Sequence, residues 1–346
     1  MRTSASPLQR RLGGGAPSGK YYFSDGWYKL FLMLDNFNLY PLHVFRLVAR
    51  SGSVTRAARE LFISQPAVSA HLKALETAIG ESLFERTPRG MQLTPAGAVV
   101  LEQVNRLFAL YEEIPAAVDA MRGRVSGEVT VAASSTPGAY LVPELLRQFQ
   151  ELYPEVRPVL RVGDSGQVLE WLLDYQAPLG VIGEMSIAEG LQSVEIGSDR
   201  LQLVAAAGDA LCRVKQVKPE HLRGRALLLR EQGSSTRAGA QSLLGERLRD
   251  FERVVEVPST EAIKQAVASG LGVAVLSSWA TRLEEAAGLL QPVRDPLLRQ
   301  ERGFFLVRRK DRVLTGTAAA LWDCLTTCKP KTVSKKRKAL SRDCRD

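Results

Sequence analysis

The stretch that decides the fold runs from Gly52 to Ile79 and reads GSVTRAARELFISQPAVSAHLKALETAI. Gly52 favours the end of a preceding helix, because glycine readily adopts the left-handed conformation that closes many helices. Ser53 and Ser64 stand where N-caps are expected, since a serine oxygen accepts a hydrogen bond from a free backbone N–H. Pro66 falls in the first turn of the second helix, where its missing N–H costs little. The stretch therefore predicts two capped helices joined by a tight turn.

The second of these helices carries two distinct faces. Its apolar residues recur at steps of four, three and four, which predicts a buried face. Gln65, Ser69 and Lys73 recur every fourth residue on another face. Glutamine and serine can read base edges in the major groove, and lysine suits phosphate. The pattern fits a helix-turn-helix, although amphipathic spacing alone fits a plain helical hairpin equally well.

Residues 83–97, LFERTPRGMQLTPAG, continue this pattern. Arg86 and Arg89 flank a turn between two short stretches, which predicts a β-hairpin with basic side chains near its tip. Thr94 then provides an N-cap, and Pro95 occupies the first position of the helix that follows. The stretch predicts a β-wing followed by a capped helix.

The segments GSVTRAA (52–58), SQPAVS (64–69), LE (75–76) and LFER (83–86) together resemble the DNA-binding signature of the LysR-type transcriptional regulators. The resemblance spans residues 38–97 and implies a winged helix-turn-helix that binds promoter DNA. Family members often carry Gln or Arg where this chain has Ala70 and His71, so we expect His71 to pack or to face solvent rather than DNA. The DNA contacts that the resemblance implies are Thr55, Ser64, Gln65, Pro66, Ser69, Lys73 and Arg86.

Beyond Pro95, apolar residues repeat at steps of four and three through residues 98–125, the spacing of a coiled coil. Pro115 is expected to kink or end this helix, because it removes one backbone hydrogen bond. The helix either pairs with a second copy or packs on its own chain. The family resemblance implies a dimer through this helix, and commonly a tetramer. The first seam positions are Val100, Val104, Leu107 and Tyr111.

From residue 126 to residue 328, short β-branched stretches alternate with amphipathic helices. This alternation predicts parallel α/β sheets in two small lobes. Lobe I is predicted over 126–198 and 303–328, and lobe II over 199–302. The resemblance likewise implies a two-lobed effector domain similar to periplasmic binding proteins. The chain is thus predicted to be an α+β multidomain protein.

Two predicted strands run into hydroxyl-rich turns at the start of a helix, at residues 134–136 and 230–237. Free N–H groups and the positive end of the helix dipole favour anions there, and ligands of open α/β sheets sit beyond the carboxyl ends of strands. The hydroxyls equally fit a purely capping role. Residues 230–237 also resemble a turn in the subgroup that contains carbon-fixation operon regulators, with Gln232 and Ser235 replacing a usual proline and glycine. The effector-binding candidates are Ser134, Ser135, Thr136, Gly183, Arg230, Ser234, Ser235, Thr236, Arg237 and Thr260.

The net charge of +9 is concentrated at the two ends of the chain. Residues 329–346 hold eight Lys or Arg and two Asp, and residues 1–32 hold five Lys or Arg and one Asp. Residues 33–328 therefore carry a net charge of −1. We expect 1–37 to be disordered or to precede the true start, and 329–346 to be a solvated, disordered basic tail. The charge total is thus weak support for DNA binding.

Other function classes fit less well. A periplasmic solute-binding protein would explain residues 127–328 but not the helix-turn-helix. The sequence has no phosphate-binding glycine loop, no His–Glu metal motif and no nucleophile elbow, so we expect neither an enzyme nor a metal or cofactor. Cys324 and Cys328 share a helical face but lack further ligands for a metal site. No stretch approaches the roughly 18 apolar residues of a membrane span. We expect a cytoplasmic regulator whose partners are promoter DNA, a small anionic effector and a second copy of the chain, with RNA polymerase as a candidate partner.

Overall fold

The computed structural model describes residues 39–88 and 90–327. Contacts divide the chain into two compact units that meet between Val104 and Asn105. Each unit is described by itself below. The predictions made for residues 1–37, for Arg89, for Cys328 and for the tail 329–346 lie outside the described residues.

The first unit is a winged helix-turn-helix. Ser53 Oγ accepts a hydrogen bond from the Arg56 N–H (3.4 Å), and Ser64 Oγ accepts one from the Ala67 N–H (3.3 Å), so both predicted N-caps are confirmed. Thr94 Oγ1 likewise accepts from the Gly97 N–H (2.9 Å). The elements are α1 (Leu39–Ser51), α2 (Val54–Glu60), α3 (Gln65–Ile79), β1 (Phe84–Thr87), β2 (Gly90–Leu93) and α4 (Pro95–Met121), which continues into the second unit.

The wing is fastened to the turn between α1 and α2. The Met91 N–H donates to the Gly52 carbonyl oxygen (3.0 Å), and Gly52 has the left-handed φ of 62° expected of it. A side chain on Gly90 would place a Cβ atom 2.5 Å from the Gly52 oxygen, so this close approach requires glycine. The hairpin therefore holds a fixed place beside α3.

Helix α4 continues through Pro115 to Met121, so the prediction that this proline would end the helix is wrong, and a kink stays a prediction. Pro115 is exposed, so water can satisfy the carbonyl that loses its helical partner. Contacts on both sides of the proline also hold the helix. Glu113 Oε1 accepts from Arg312 Nε (2.9 Å) and Nη2 (2.7 Å). The backbone at Ala116 lies so close to Gly316 that a Cβ atom there would stand 2.7 Å from the Ala116 oxygen.

In the described part of the second unit, nine strands form one continuous sheet with the order β4-β3-β5-β11-β6-β9-β7-β8, and β10 pairs with β6. The strands are β3 (Gly127–Ser134), β4 (Val156–Gly163), β5 (Leu179–Gly183), β6 (Leu191–Ala206), β7 (Ala226–Leu229), β8 (Arg253–Glu256), β9 (Val273–Ser277), β10 (Leu290–Pro292) and β11 (Arg299–Arg309). The α-helices are α5 (Ser135–Tyr140), α6 (Val142–Leu152), α7 (Ser165–Leu173), α8 (Pro219–Leu222), α9 (Ser235–Leu244), α10 (Thr260–Ala268), α11 (Ser278–Ala286) and α12 (Gly316–Thr327).

The sheet is parallel towards its two ends and antiparallel at its centre, where β11 and β6 pair with each other and with β5 and β9. Strand β3 pairs in parallel with β4 and β5, and β7 pairs in parallel with β8 and β9, as predicted. The long strands β6 and β11 pair antiparallel with each other, over all of β11 and over residues 191–202 of β6. The prediction of parallel sheets alone therefore missed the antiparallel pair of β6 and β11, which joins the two lobes into one sheet. The first half of β6 (residues 191–200) escaped it because its polar residues give no continuous apolar stretch.

Each lobe has its own apolar core. In lobe I, Val131 and Val181 of the sheet pack with Phe149 of α6 and Leu321 of α12. In lobe II, the cores on the two faces of the sheet include Leu203 and Leu227 on one side, and Leu228 and Ile263 on the other. Among the described residues, the helices are all too short or too polar to cross a membrane.

Candidate DNA-binding surface and interlobe site

A groove with a volume of about 650 Å³ lies between the start of α3 and the wing. Four of the predicted DNA contacts, Gln65, Pro66, Ser69 and Arg86, line it together. Thr55 and Ser64 line a neighbouring hollow beside the exposed ring of Phe62. The remaining residues of the groove are Gly52, Ser53, Val54, Thr87, Gly90 and Met91.

The side chains at this groove suit an anionic polymer. Gln65, Pro66 and Arg86 are exposed, Ser69 is half-buried, and Lys73 is exposed further along α3. A glutamine and a serine, side chains that are able to read base edges, thus stand beside an arginine, which suits phosphate. His71 packs edge-on against Tyr40 with 5.0 Å between ring centroids, as expected of a packing residue. Sequence reasoning assigned Ser53 to capping alone and overlooked Met91. The close approach of Gly90 to Gly52 places both beside the groove.

In the second unit, the side chain of Arg230 joins the two lobes. It follows β7 and is only 4 % exposed. Its Nη1 donates to Ser135 Oγ of lobe I (2.9 Å) and to Thr260 Oγ1 of lobe II (2.6 Å). Nε and Nη2 donate to the two carboxylate oxygens of Glu231, at 2.7 and 2.6 Å. We call the region around Arg230, Ser135, Gly183, Ser235 and Arg302 the interlobe site.

Gly183 and Ser235 meet at the centre of the interlobe site. The Gly183 N–H donates to Ser134 Oγ (3.3 Å) within lobe I. A Cβ atom on Gly183 would stand 2.5 Å from Ser235 Oγ of lobe II, so only glycine allows this approach. A short distance away, the Gly166 N–H donates to the Gly233 oxygen across the lobes (3.2 Å). The structure thus brings the two predicted hydroxyl-rich turns face to face.

Arg302 is the main residue that sequence reasoning missed. It lies on β11 and is buried, and its Nε (2.9 Å) and Nη2 (2.7 Å) bind Asp199 Oδ2. Nη2 also donates to Thr236 Oγ1 (3.3 Å). Nη1 is buried without a hydrogen-bond partner, 3.3 Å from where a Cβ atom on Gly183 would stand. A charged residue two positions before the apolar stretch Phe304–Val307 was the available signal.

Two predicted residues serve the local structure of their turn. Ser234 Oγ accepts from the Arg237 N–H (3.4 Å) and caps α9. The Arg237 guanidinium donates to the Arg230 carbonyl oxygen (2.8 Å) and pairs with Glu256. Its charge is therefore already matched within lobe II.

The interlobe site offers hydrogen-bond donors and hydroxyls to a small polar ligand. Helices α9 and α10 begin at it, with Thr236 in the first turn of one and Thr260 at the start of the other. Arginine side chains and helix N-termini together favour anions. In residues 39–88 and 90–327, there is no group of three or more His, Cys, Asp or Glu able to hold a metal ion.

A winged helix-turn-helix combined with a two-lobed α/β domain defines a DNA-binding regulator that senses a ligand. Residues 39–98 match the model of the bacterial regulatory helix-turn-helix proteins of the lysR family, and residues 122–328 match the LysR substrate binding domain. The chain belongs to the LysR family of transcriptional regulators, and it is not an enzyme.

Relatives define the subgroup further. The transcriptional activator CmpR of Synechocystis sp. is 31% identical over 292 residues, covering 84% of this chain and 96% of CmpR. The RuBisCO operon transcriptional regulator of Acidithiobacillus ferrooxidans is 32% identical over 252 residues, covering 73% of this chain and 81% of the relative. These matches confirm the resemblance to the subgroup with carbon-fixation operon regulators.

A solved structure resembles the effector domain. The regulatory domain of CcmR from Synechocystis PCC6803, in complex with 2-PG, superimposes with a TM-score of 0.55 at 25% identity. The match covers 60% of this chain and 99% of that domain.

Proposed function

We propose that the effector of this regulator is a small anion held in the interlobe site, and that it changes how the protein sits on promoter DNA. The observation that carries the proposal is the Arg302 Nη1 donor, which is buried without a partner beside Gly183. A buried donor without a partner costs about 1–3 kcal/mol. A ligand oxygen at this position would remove that cost.

The residues around Arg302 support the same ligand class. Arg230 contributes a second guanidinium, and its hydrogen bonds already reach both lobes. The CcmR regulatory domain was solved with 2-PG, which is 2-phosphoglycolate, and we choose that compound as the probe for this chain. We propose as its contacts the hydroxyls and donors that surround the two arginines: Ser134, Ser135, Thr136, Gly183, Ser235, Thr236 and Thr260. In this proposal Ser234 and Arg237 shape the turn.

For the DNA-binding head, residues 38–97, we propose two kinds of contact. Gln65, Pro66 and Ser69 face base edges from the first turns of α3, and Arg86 approaches the backbone from the wing, since these four line one groove. Thr55, Ser64 and Lys73 complete the phosphate contacts. Phosphate contacts fix the register of a protein on DNA, and base contacts choose the sequence.

We further propose that two copies pair through the linker helix, residues 98–125, beside the effector domain at 126–328. From Leu107 onward α4 carries an exposed apolar stripe at heptad spacing, which a partner helix would cover. Val100 is half-buried and Val104 is buried in the single chain, so Val104 has little surface to offer. The stripe consists of Leu107, Leu110, Tyr111, Ile114, Val118 and Met121. A tetramer, contact with RNA polymerase and a cytoplasmic location belong to the same proposal.

Footprinting of the full-length protein on its promoter, with and without 2-phosphoglycolate, tests the function. We expect two protected half-sites about one helical turn apart, because a paired protein presents two recognition helices. Added 2-phosphoglycolate should shift the protected boundary or the hypersensitive bases. Arg230→Gln should keep the footprint and lose the response.

The matched control is Arg225→Gln. This arginine pairs with Asp209 at 2.7 Å in the same lobe and is not among the interlobe residues, so its loss should leave the response intact. An unchanged footprint, with 2-phosphoglycolate binding demonstrated by titration, would contradict the mechanism. A single protected half-site would contradict the pairing.

A further inference from the structure

The Glu231 carboxylate binds Arg230 as a small-molecule carboxylate would. Its two oxygens accept hydrogen bonds from Nε (2.7 Å) and Nη2 (2.6 Å), which is the parallel two-bond geometry of an arginine with an acidic ligand. Nη1 of the same guanidinium donates to the hydroxyls of Ser135 and Thr260. A buried charge must be paired, and here the adjacent residue pairs it.

The two other arginines near the interlobe site are also paired with carboxylates. Arg302 pairs with Asp199, and Arg237 pairs with Glu256. Arg230, Arg237 and Arg302 are thus each paired with a carboxylate, and the carboxylates of Glu184 and Asp164 lie close by, beside Gly303 and Gly233. The site that suits an anion by its donors therefore has no excess of positive charge. An arriving anion meets an excess of positive charge only if a carboxylate leaves.

Of the two carboxylates that pair with Arg230 and Arg302, Glu231 is the one that can leave. Its side chain is 21% exposed, and both hydrogen bonds described for its carboxylate go to Arg230. Rotation into solvent would rehydrate it without breaking another contact described for that carboxylate. Asp199, in contrast, has no exposed side-chain surface and also accepts from Ser277 Oγ (2.8 Å) and the Arg200 N–H (2.7 Å).

We infer that Glu231 is an internal counter-ion that competes with the effector for Arg230 and so sets the affinity of the site. The inference rests on the proposed function. It also narrows the ligand class. A compound whose single anionic group is a carboxylate would form with Arg230 the same contact that Glu231 already forms. It would gain nothing to offset competition from the Glu231 carboxylate, which is tethered beside the arginine. An effector needs further charge or further oxygens, as a phosphate monoester has, to reach Arg302 and the hydroxyls as well.

The test is calorimetric titration of the full-length protein with 2-phosphoglycolate and, separately, with inorganic phosphate. The apparent dissociation constant equals the intrinsic one divided by the fraction of protein whose Arg230 is free. Glu231→Gln removes the competing charge at nearly constant size and raises that fraction. We expect the variant to bind whichever anion the wild type binds about tenfold more tightly, since a two-bond charged pair is worth roughly one order of magnitude.

Asp209→Asn is the matched control. Asp209 also holds an arginine with two hydrogen bonds, from Arg225 at 2.7 and 3.0 Å, at the start of a short 3₁₀ helix (Ala210–Arg213) of lobe II. Its loss should destabilise the lobe comparably while leaving the affinity for either anion within about twofold. A general destabilisation of lobe II would change the anion affinity of both variants alike, whereas competition by Glu231 would change the affinity of Glu231→Gln alone.

The outcomes separate the inference from the proposed function. Wild-type binding without tighter binding by Glu231→Gln overturns the role of Glu231 and leaves the anionic effector in place. Failure of the wild type and both variants to bind either anion, with DNA binding retained, overturns both. If Glu231→Gln does not fold, a crystal structure of the wild type with 2-phosphoglycolate decides. The Glu231 carboxylate should have turned to solvent with a ligand oxygen on Arg230, and a retained Glu231–Arg230 pair would overturn the inference.

Discussion

In the helix-turn-helix head most of the proposed contact residues point into solvent, whereas in the effector domain most are buried and bonded to one another. Gln65 and Arg86 are exposed at the rim of their groove. Arg230 and Arg302 are almost fully buried, and each bridges several side chains. The head can therefore change its target without changing its stability. In the effector domain, ligand binding and folding depend on the same groups.

The strongest test of this contrast is Arg302→Met. It leaves the Asp199 carboxylate buried without its partner, and we expect a loss of about 3–5 kcal/mol in the free energy of unfolding. Urea denaturation of the full-length protein, followed by fluorescence, measures it. The effector domain should unfold at lower urea while the head keeps its own transition.

The matched control for this change is the double variant Arg302→Met, Asp199→Leu. Replacing a whole buried ion pair with apolar groups is often neutral, but Asp199→Leu also removes the acceptor of the Ser277 hydroxyl and the Arg200 N–H, so only part of the stability should return. Anion binding should stay lost, because the Nη1 donor is gone. A single variant as stable as the wild type would show that the interlobe pair contributes little to the fold.

Gln65→Ala makes the opposite kind of change in the head. We expect DNA affinity to fall by about 1–3 kcal/mol, the usual worth of a side chain that reads a base. The thermal midpoint should stay close to the wild-type value, because an exposed residue contributes little to stability. Fluorescence anisotropy with labelled promoter DNA measures the affinity.

Gln103→Ala is the matched control for that experiment, an exposed glutamine on α4 that does not line the groove. Its affinity for DNA should match the wild type. A large loss of stability in Gln65→Ala would remove the contrast between the two regions.

Changes at Ser64 should give the smallest effect. This residue combines a structural role with a place at the proposed DNA surface, since it caps α3 there. Ser64→Ala should cost about 1 kcal/mol of stability, the usual worth of an N-cap. Ser64→Asp keeps a capping oxygen but adds a negative charge, so it should retain stability and weaken DNA binding. Differential scanning calorimetry and anisotropy together separate these effects. Equal DNA affinity in both variants would place Ser64 in the fold alone.

The same contrast explains what the sequence could predict. The head was predictable because its signals are local: each capping serine accepts a hydrogen bond from the backbone N–H of the residue three positions later. The interlobe site was predictable in its two hydroxyl-rich turns and in Gly183 and Thr260, but not in Arg302 and Asp199. Arg302 and Asp199 are 103 residues apart, and neither has a neighbour in sequence that indicates the pair. Pro115 was misjudged because a local helix rule ignored the contacts at Glu113 and Ala116.

The antiparallel pair of β6 and β11 has a mechanical consequence. Strand β11 carries Arg302 near one end, and the segment that follows it carries Arg312, whose guanidinium grips Glu113 of α4. From Arg302 to Arg309 the strand extends about 23 Å. Over this length it is paired with β6, and over part of it also with β5. Only two residues separate the end of β11 at Arg309 from Arg312, so we expect a displacement of the strand at Arg302 to be passed to α4 over a short path.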